Sequence, residues 1–135
     1  MSRRNECRIP AADLALLQRC RQLNEDIADL QRTLPEAQVL DALRQLNLDD
    51  LPLNDRRMAA RILRDKAELD ARQAELDALV IPAEEAAQRI RNTNLRRIAR
   101  LYCLDGLSGY AAKASCVCCE RTVDRCIALL NRLPE

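Results

Sequence analysis

Glycine is confined to one short stretch of this chain. Gly106 and Gly109 are the only two glycines in 135 residues, and they lie between two segments whose apolar residues recur at helical spacing. Glycine adopts positive φ, and lets backbones approach closely, more readily than any other residue. The sequence therefore predicts one sharp turn here, between helices.

The segments around this turn predict three short helices. Before it, Leu95, Ile98 and Leu101 share one helix face, with arginines on the other side. After it come an alanine-rich run, 110–115, and a second periodic segment, 120–133, whose apolar spacing predicts that Val123 points inward. Three short helices with a tight second connection and a basic third helix are typical of a helix-turn-helix domain, whose third helix enters the DNA major groove.

Two motifs in this region resemble a known family. LYCLDGLS (101–108) and CERTVDR (119–125) are similar to signatures of the sigma factor region 4-like helix-turn-helix in small phage transcriptional regulators of the RinA and ArpU type. The resemblance covers residues 83–133. It implies a DNA-binding transcriptional regulator, encoded by a phage or prophage, that reads duplex DNA with the helix 119–132. The chain departs from the family at Gly109, which precedes the expected aromatic, and at Cys119, where the family has a Ser or Thr N-cap.

The predicted DNA contacts lie on the first and third of these helices. Side chains four apart share a helix face, and paired arginines suit guanine edges or phosphates, whereas arginines on the first helix suit backbone phosphates. The alternative interpretation of the third helix is a solvated face neutralised by Glu120 and Asp124. The six predicted contact residues are Arg121, Thr122, Arg125, Arg96, Arg97 and Arg100.

Prolines divide the rest of the chain into predicted helices. The first ends before Pro35 and has an apolar seam with alternating steps of four and three, as in a coiled coil. A shorter amphipathic helix follows at 36–47, then a loop at 48–54 whose Asn54 caps a second long helix, 55–80. Pro82 is predicted to end that helix, because proline is tolerated at a helix start but not inside. The seam residues are Leu16, Cys20, Leu23, Ile27, Leu30 and Leu34.

These segments predict an all-α protein with two parts. Residues 1–81 form a helical hairpin or coiled-coil arm, and residues 82–135 form a three- to four-helix helix-turn-helix domain that starts with the helix 83–91 and has a cap at 92–94. A two-helix hairpin buries little core by itself. We therefore expect the arm to pair with a second copy and give a homodimer.

The residue types present argue against an enzyme and predict no cofactor. The chain has no histidine, which removes the usual general base, and its paired carboxylates have no convergent partners. Seven cysteines include the cluster Cys116, Cys118, Cys119 and Cys126, with Cys103 upstream. Their spacing is not that of a zinc ribbon, and Cys103 and Cys126 fall on the predicted inward faces of two packed helices. Free cysteine behaves as a small buried hydrophobe, so no metal is predicted. A cysteine-based metal or redox sensor is the second alternative function.

Charge is unevenly distributed along the chain. Residues 83–135 carry nine basic and six acidic side chains, against 13 and 15 in residues 1–82. This mild excess suits duplex DNA, but it also suits the main alternative, a protein-interaction module that docks RNA polymerase or another host protein without gripping DNA.

No apolar run is long enough for a bilayer, and the N-terminus lacks a signal-peptide core. We expect no membrane partner and a location in the cytoplasm of a bacterial host.

Overall fold

The computed structural model describes residues 8–115 and 119–133, and this part of the chain is all-helical. Helices account for 82% of the described residues, with no strands among them, so the predicted all-α class is confirmed. A 3-10 turn, Leu48–Asp50, and a π turn, Arg100–Leu104, complete the elements. The six helices are α1 (Ala11–Thr33), α2 (Ala37–Gln45), α3 (Leu53–Gln88), α4 (Thr93–Ala99), α5 (Gly109–Ser115) and α6 (Glu120–Leu130).

Backbone contacts divide the chain into two compact units. Among the described residues, the first unit comprises 8–25, 75–115 and 119–133, and the second comprises 26–74. Helices α1 and α3 contribute residues to both units. The predicted division into an arm, 1–81, and a helix-turn-helix domain, 82–135, stays a prediction, as do the hairpin and the homodimer.

Helix α3 continues through Pro82 to Gln88, so the predicted helix end at residue 80 and the separate helix 83–91 are wrong. A proline inside a helix removes one backbone hydrogen bond and costs about 3 kcal/mol. The turns that follow consist of good helix formers, and their inward face is fully buried, which offsets this cost. The buried residues of this face are Ala83, Ala86 and Ala87.

Asn54 is also misplaced by the sequence interpretation. Helix α3 begins two residues earlier than predicted, at Leu53, and the Arg56 N–H donates to the Pro52 carbonyl at 2.9 Å. Proline fixes φ at a value suited to a helix start, so the first turn forms around Pro52. Asn54 therefore lies inside that turn, where it cannot act as the N-cap.

In the first unit, the buried face of α1 keeps the predicted seam residues Cys20 and Leu23 but has Leu14 and Leu17 in place of Leu16. Leu17, Cys20 and Leu23 have no exposed surface and Leu14 is 7% exposed, whereas Leu16 is only half-buried. Steps of three along a helix place these side chains on one wide face, which is the pattern of a helix packed in a globular core. The prediction of Leu16 as a seam position is therefore wrong. Leu23 is already buried within a single chain.

Helices α4, α5 and α6 also belong to the first unit, where α4 and α5 both pack against α6. The predicted cap before α4 is confirmed, because the Asn92 side chain accepts the Leu95 N–H at 2.9 Å. The predicted inward position of Val123 is confirmed as well. The buried residues of these elements are Leu95, Ile98, Ala99, Tyr102, Cys103, Ala112, Val123, Cys126 and Leu130.

The sharp turn predicted at the glycines is found at Gly106. Its φ is +70°, a left-handed conformation that other residues adopt only with strain. A Cβ atom at this position would lie 2.9 Å from the Cβ of Asn24, closer than such atoms come. Both the backbone conformation and the lack of room for a Cβ atom therefore require glycine at position 106.

The second unit is built from the end of α1, α2, the 3-10 turn and most of α3. The Arg56 guanidinium donates to the carbonyls of Leu48, Asp49 and Leu51, which holds the turn against α3. Ion pairs connect Asp70 to Lys66 at 2.9 Å and to Arg44 at 4.0 Å. The buried apolar residues here are Ile27, Leu40, Ala59 and Leu69. The large exposed apolar residues are Val39, Leu46, Leu53 and Met58.

Candidate nucleic-acid interface

Helix α6 has one buried face and one charged exposed face. Val123, Cys126 and Leu130 are between 0% and 6% exposed, because they pack against the neighbouring helices of the first unit. Arg121 and Arg125 are exposed. Neither arginine makes an ion pair with any residue between 8 and 115 or between 119 and 133. Both guanidinium groups are therefore available to an anionic partner.

Asp124 does not neutralise these arginines, although its position between them in the sequence suggests that it could. Its Oδ1 atom lies 2.9 Å from the Nζ atom of Lys113 on α5. The hydrogen bond to Asp124 raises the pKa of Lys113. The pair ties α5 to α6 and leaves Arg121 and Arg125 on the outer face of α6 without an ion pair among the described residues.

Thr122 is half-buried, and its hydroxyl already has a local partner. The Thr122 Oγ1 atom lies 3.1 Å from the Cys119 Sγ atom. Cys119 is the N-cap residue of α6, with extended backbone (φ −69°, ψ 155°), and its side chain does not cap a backbone N–H. The hydrogen bond with the Thr122 hydroxyl lowers the pKa of the Cys119 thiol. Thr122 therefore stabilises the first turn of α6 whatever else it contacts.

The predicted phosphate contacts lie on α4 and the π turn that follows it. Arg97 and Arg100 are exposed and make no ion pair within the described part of the chain. Arg96 is half-buried, and its Nη1 atom donates to the Ile90 carbonyl at 3.3 Å. Arg97 and Arg100 are thus better placed for an external anion than Arg96.

The first part of α1 supports this region by hydrogen bonding to its backbone. The Arg21 Nη1 atom donates to the carbonyls of Tyr102 (2.9 Å) and Leu107 (2.6 Å), and the guanidinium carbon lies 4.0 Å from the centre of the Tyr102 ring. Asn24 Nδ2 donates to the carbonyls of Cys103 (2.9 Å) and Leu104 (3.2 Å). These two side chains satisfy the carbonyls left free where the π turn ends.

Gln18 does the same for the end of α6. Its Nε2 atom donates to the carbonyls of Leu130 (2.8 Å) and Arg132 (2.6 Å). Sequence reasoning missed these three supporting side chains because their carbonyl partners lie 79 to 114 residues further along the chain. The available signal was spacing: Gln18, Arg21 and Asn24 are three residues apart, so they form one polar stripe beside the apolar one.

The described cysteines are free thiols, three of them buried. The predicted inward positions of Cys103 and Cys126 are confirmed. Burial raises the pKa of Cys103 to about 12 and also raises that of Cys20. Among the described residues, no group of three or more Cys, Asp or Glu side chains is placed to hold a metal ion. Cys116 and Cys118 of the predicted cluster lie outside the described residues.

No family model, no curated protein and no solved structure matches this chain. The resemblance to the small phage regulators accordingly stays a prediction. In the described ranges, 8–115 and 119–133, no helix combines the length and the apolar character needed to cross a bilayer.

Proposed function

We propose that the protein binds duplex DNA as a transcriptional regulator. In this proposal α4 with its π turn, α5 and α6 form a sigma region 4-like helix-turn-helix, and α6 enters the major groove. The assignment to a phage or prophage, acting in the cytoplasm of a bacterial host, rests on the resemblance of the motifs 101–108 and 119–125.

The observation that carries the proposal is the outer face of α6. Arg121 and Arg125 are exposed, four residues apart and unpaired among the described residues, while Asp124 is held by Lys113. Arginine binds guanine O6 and N7 or a phosphate with two parallel hydrogen bonds, so two free guanidinium groups on one helix face suit groove recognition. Burial of Val123 on the opposite side fixes which face points outward.

Arg97 and Arg100 complete the proposed interface as phosphate contacts. Such contacts position a protein on DNA without specifying sequence. We expect Arg97→Ala and Arg100→Ala to weaken binding to all duplexes, each lowering the slope of log K against log salt by about 0.9 per lost contact. Arg96 should contribute less, because it is bonded to the Ile90 carbonyl.

Selection from a random duplex library, followed by titration of the enriched site, tests the proposal. Arg121→Ala should weaken specific binding by roughly 1–3 kcal/mol and relax preference at one base position. Arg32→Ala is the matched control, since it removes an exposed arginine that pairs with Asp29 on α1. A palindromic site would additionally favour a two-fold dimer, because half-site symmetry mirrors protein symmetry.

One observation favours the alternative of a protein-docking module. Tyr110 on α5 is 85% exposed, and tyrosine is enriched at protein interfaces. Retention of the parent's DNA binding by both Arg121→Ala and Arg125→Ala would contradict groove reading. Loss of RNA polymerase binding by the Tyr110→Ala variant, measured separately, would then support the docking function.

A further inference from the structure

The second unit carries three arginines on one face of α3. Arg57, Arg61 and Arg64 occupy positions i, i+4 and i+7, and all three are exposed. At 1.5 Å per residue they span about 10 Å along the helix. Their side chains line a shallow surface trough together with Asn54, Met58 and Ala60. We refer to Arg57, Arg61 and Arg64 as the arginine ridge.

The three ridge arginines differ from the other arginines of this unit because they have no ion-pair or hydrogen-bond partner among the described residues. Arg32 pairs with Asp29, Arg44 with Asp41 and Asp70, and Arg72 with Glu68. Arg56 is bonded to three carbonyls of the 3-10 turn region.

Within residues 8–115 and 119–133, none of the three ridge arginines has a carboxylate within 4.0 Å. Glu68 stands four residues after Arg64, a spacing that suits an ion pair, yet it contacts Arg72 at 3.5 Å. Three adjacent guanidinium groups therefore remain uncompensated, although residues 26–74 carry eight basic and ten acidic side chains in all.

We infer that the arginine ridge binds the phosphodiester backbone of duplex DNA. Guanidinium forks match phosphate oxygens, and a row of three along a straight helix suits consecutive phosphates. The unit lacks the aromatic side chains on which single-stranded bases stack, since the two tyrosines of the chain are at 102 and 110. The inference rests on the proposed function in one respect: the ridge adds sequence-independent contacts to a chain that α6 has already brought to DNA.

The slope of log K against log salt measures these contacts, with the full chain bound to the selected duplex and to a scrambled one. The triple variant Arg57→Gln, Arg61→Gln, Arg64→Gln should lower the slope by about two to three units on both duplexes, at about 0.9 per lost phosphate contact. The preference for the selected site should not change. A triple lysine variant should retain the slope, because each positive charge remains.

The matched control is Arg32→Gln, Arg44→Gln, Arg72→Gln, which removes the same charge from the same unit but only from acid-paired positions. An equal slope change in ridge and control variants would overturn the inference, because the effect would then be one of net charge. The lysine variant also guards against misfolding: a glutamine triple that fails to fold still leaves parent and lysine variant to compare. In that case the three single glutamine variants of the ridge replace the triple, each expected to lower the slope by about 0.9, and an unchanged slope in all three overturns the inference. Loss of the slope in the lysine variant, which keeps every charge, also overturns it.

The ridge and α6 can fail separately. An unchanged slope in the glutamine triple, with Arg121→Ala still weakening the selected site, overturns the ridge and leaves groove reading intact. In the reverse result, the glutamine triple lowers the slope while Arg121→Ala and Arg125→Ala bind the selected site as the parent does. This result supports the ridge and contradicts groove reading. If the glutamine triple loses binding to a polyglutamate peptide but binds duplex DNA as the parent does, the ridge is assigned to an acidic protein partner and the inference is overturned.

Discussion

The two units differ sharply in how much core each contains. In the first unit, α1, the end of α3 and the helices α4 to α6 bury many side chains completely, among them Leu17, Ile98 and Val123. In the second unit, the buried apolar residues among the described positions are Ile27, Leu40, Ala59 and Leu69, each retaining 3–8% exposure. A small unit that buries little apolar surface is marginally stable and opens first. The candidate α6 interface thus stands on the more stable scaffold, and the arginine ridge on the less stable one.

Truncation of a core leucine in each unit should show the largest difference. Leu17→Ala removes a fully buried side chain, and we expect it to lower the free energy of unfolding by about 2–5 kcal/mol. Leu40→Ala in the second unit should cost less, since fewer neighbours surround it and the site can collapse. Urea unfolding measures both. An equal or larger loss for Leu40→Ala would remove the proposed difference in core strength.

The glycine turn offers a second test within the first unit. Gly106→Ala must hold a Cβ atom at φ +70° and 2.9 Å from Asn24, so we expect a loss of about 1–3 kcal/mol. Gly109→Ala is the matched control, because its new Cβ would meet only Ile127 Cδ1 at an ordinary 3.5 Å. Removing glycine there should be neutral or stabilise by about 0.4–1 kcal/mol. Similar melting temperatures for the two variants would show that the turn is not strained.

Hydrogen bonds from the polar side chains of α1 should also contribute more to stability in the first unit than in the second. Asn24→Ala leaves the carbonyls of Cys103 and Leu104 without this donor, and we expect a cost of about 1–2 kcal/mol. Gln31→Ala, an exposed position of α1 in the second unit, should change stability by less than about 0.5 kcal/mol. Equal thermal shifts for these variants would argue that α1 does not support the C-terminal helices through Asn24.

The smallest expected effect is the loss of stability at low pH that accompanies protonation of Asp13. The hydrogen bond from Arg89 lowers the pKa of Asp13 below its ordinary value of 3.8. Its contribution to stability is therefore present above about pH 4 and is lost as pH falls through the lowered pKa. The Arg89 side chain is 54% exposed, although that of Asp13 is only 13% exposed, so solvent screening keeps the contribution small. Unfolding followed from pH 6 to pH 2 should be slightly less pH-dependent for Asp13→Asn than for the parent, and a steeper dependence would contradict this.

Local chemistry in the sequence predicted the features that depend on neighbouring residues. Gly106 marked the turn, Asn92 marked the start of α4, and the periodicity of α6 placed Val123 inside. Each of these depends on backbone geometry or helical spacing over a few residues, which a sequence displays directly. The role of α6 in DNA binding depends on a partner, and it stays a prediction.

The features that sequence reasoning missed depend on contacts between distant segments. Pro82 stands in a helix because Ala83 and Ala86 are buried against other elements, and nothing near it in the sequence reveals that packing. The buried face of α1 includes Leu17 instead of Leu16 because it faces a globular core, not a heptad partner. The first error came from the rule that proline ends a helix, and the second from interpreting the apolar spacing of α1 as a heptad seam.

The hydrogen bond from Gln18 to Leu130 has a consequence for the order in which the protein forms during translation. Its donor and acceptor are 112 residues apart, so this contact cannot form until the segment around Leu130 has left the ribosome. Residues 26–74 have their partners nearer in sequence and can assemble earlier. Non-local closure of this kind slows folding. Synthesis of the chain therefore makes the second unit able to assemble before the Gln18 contact of the first unit can form.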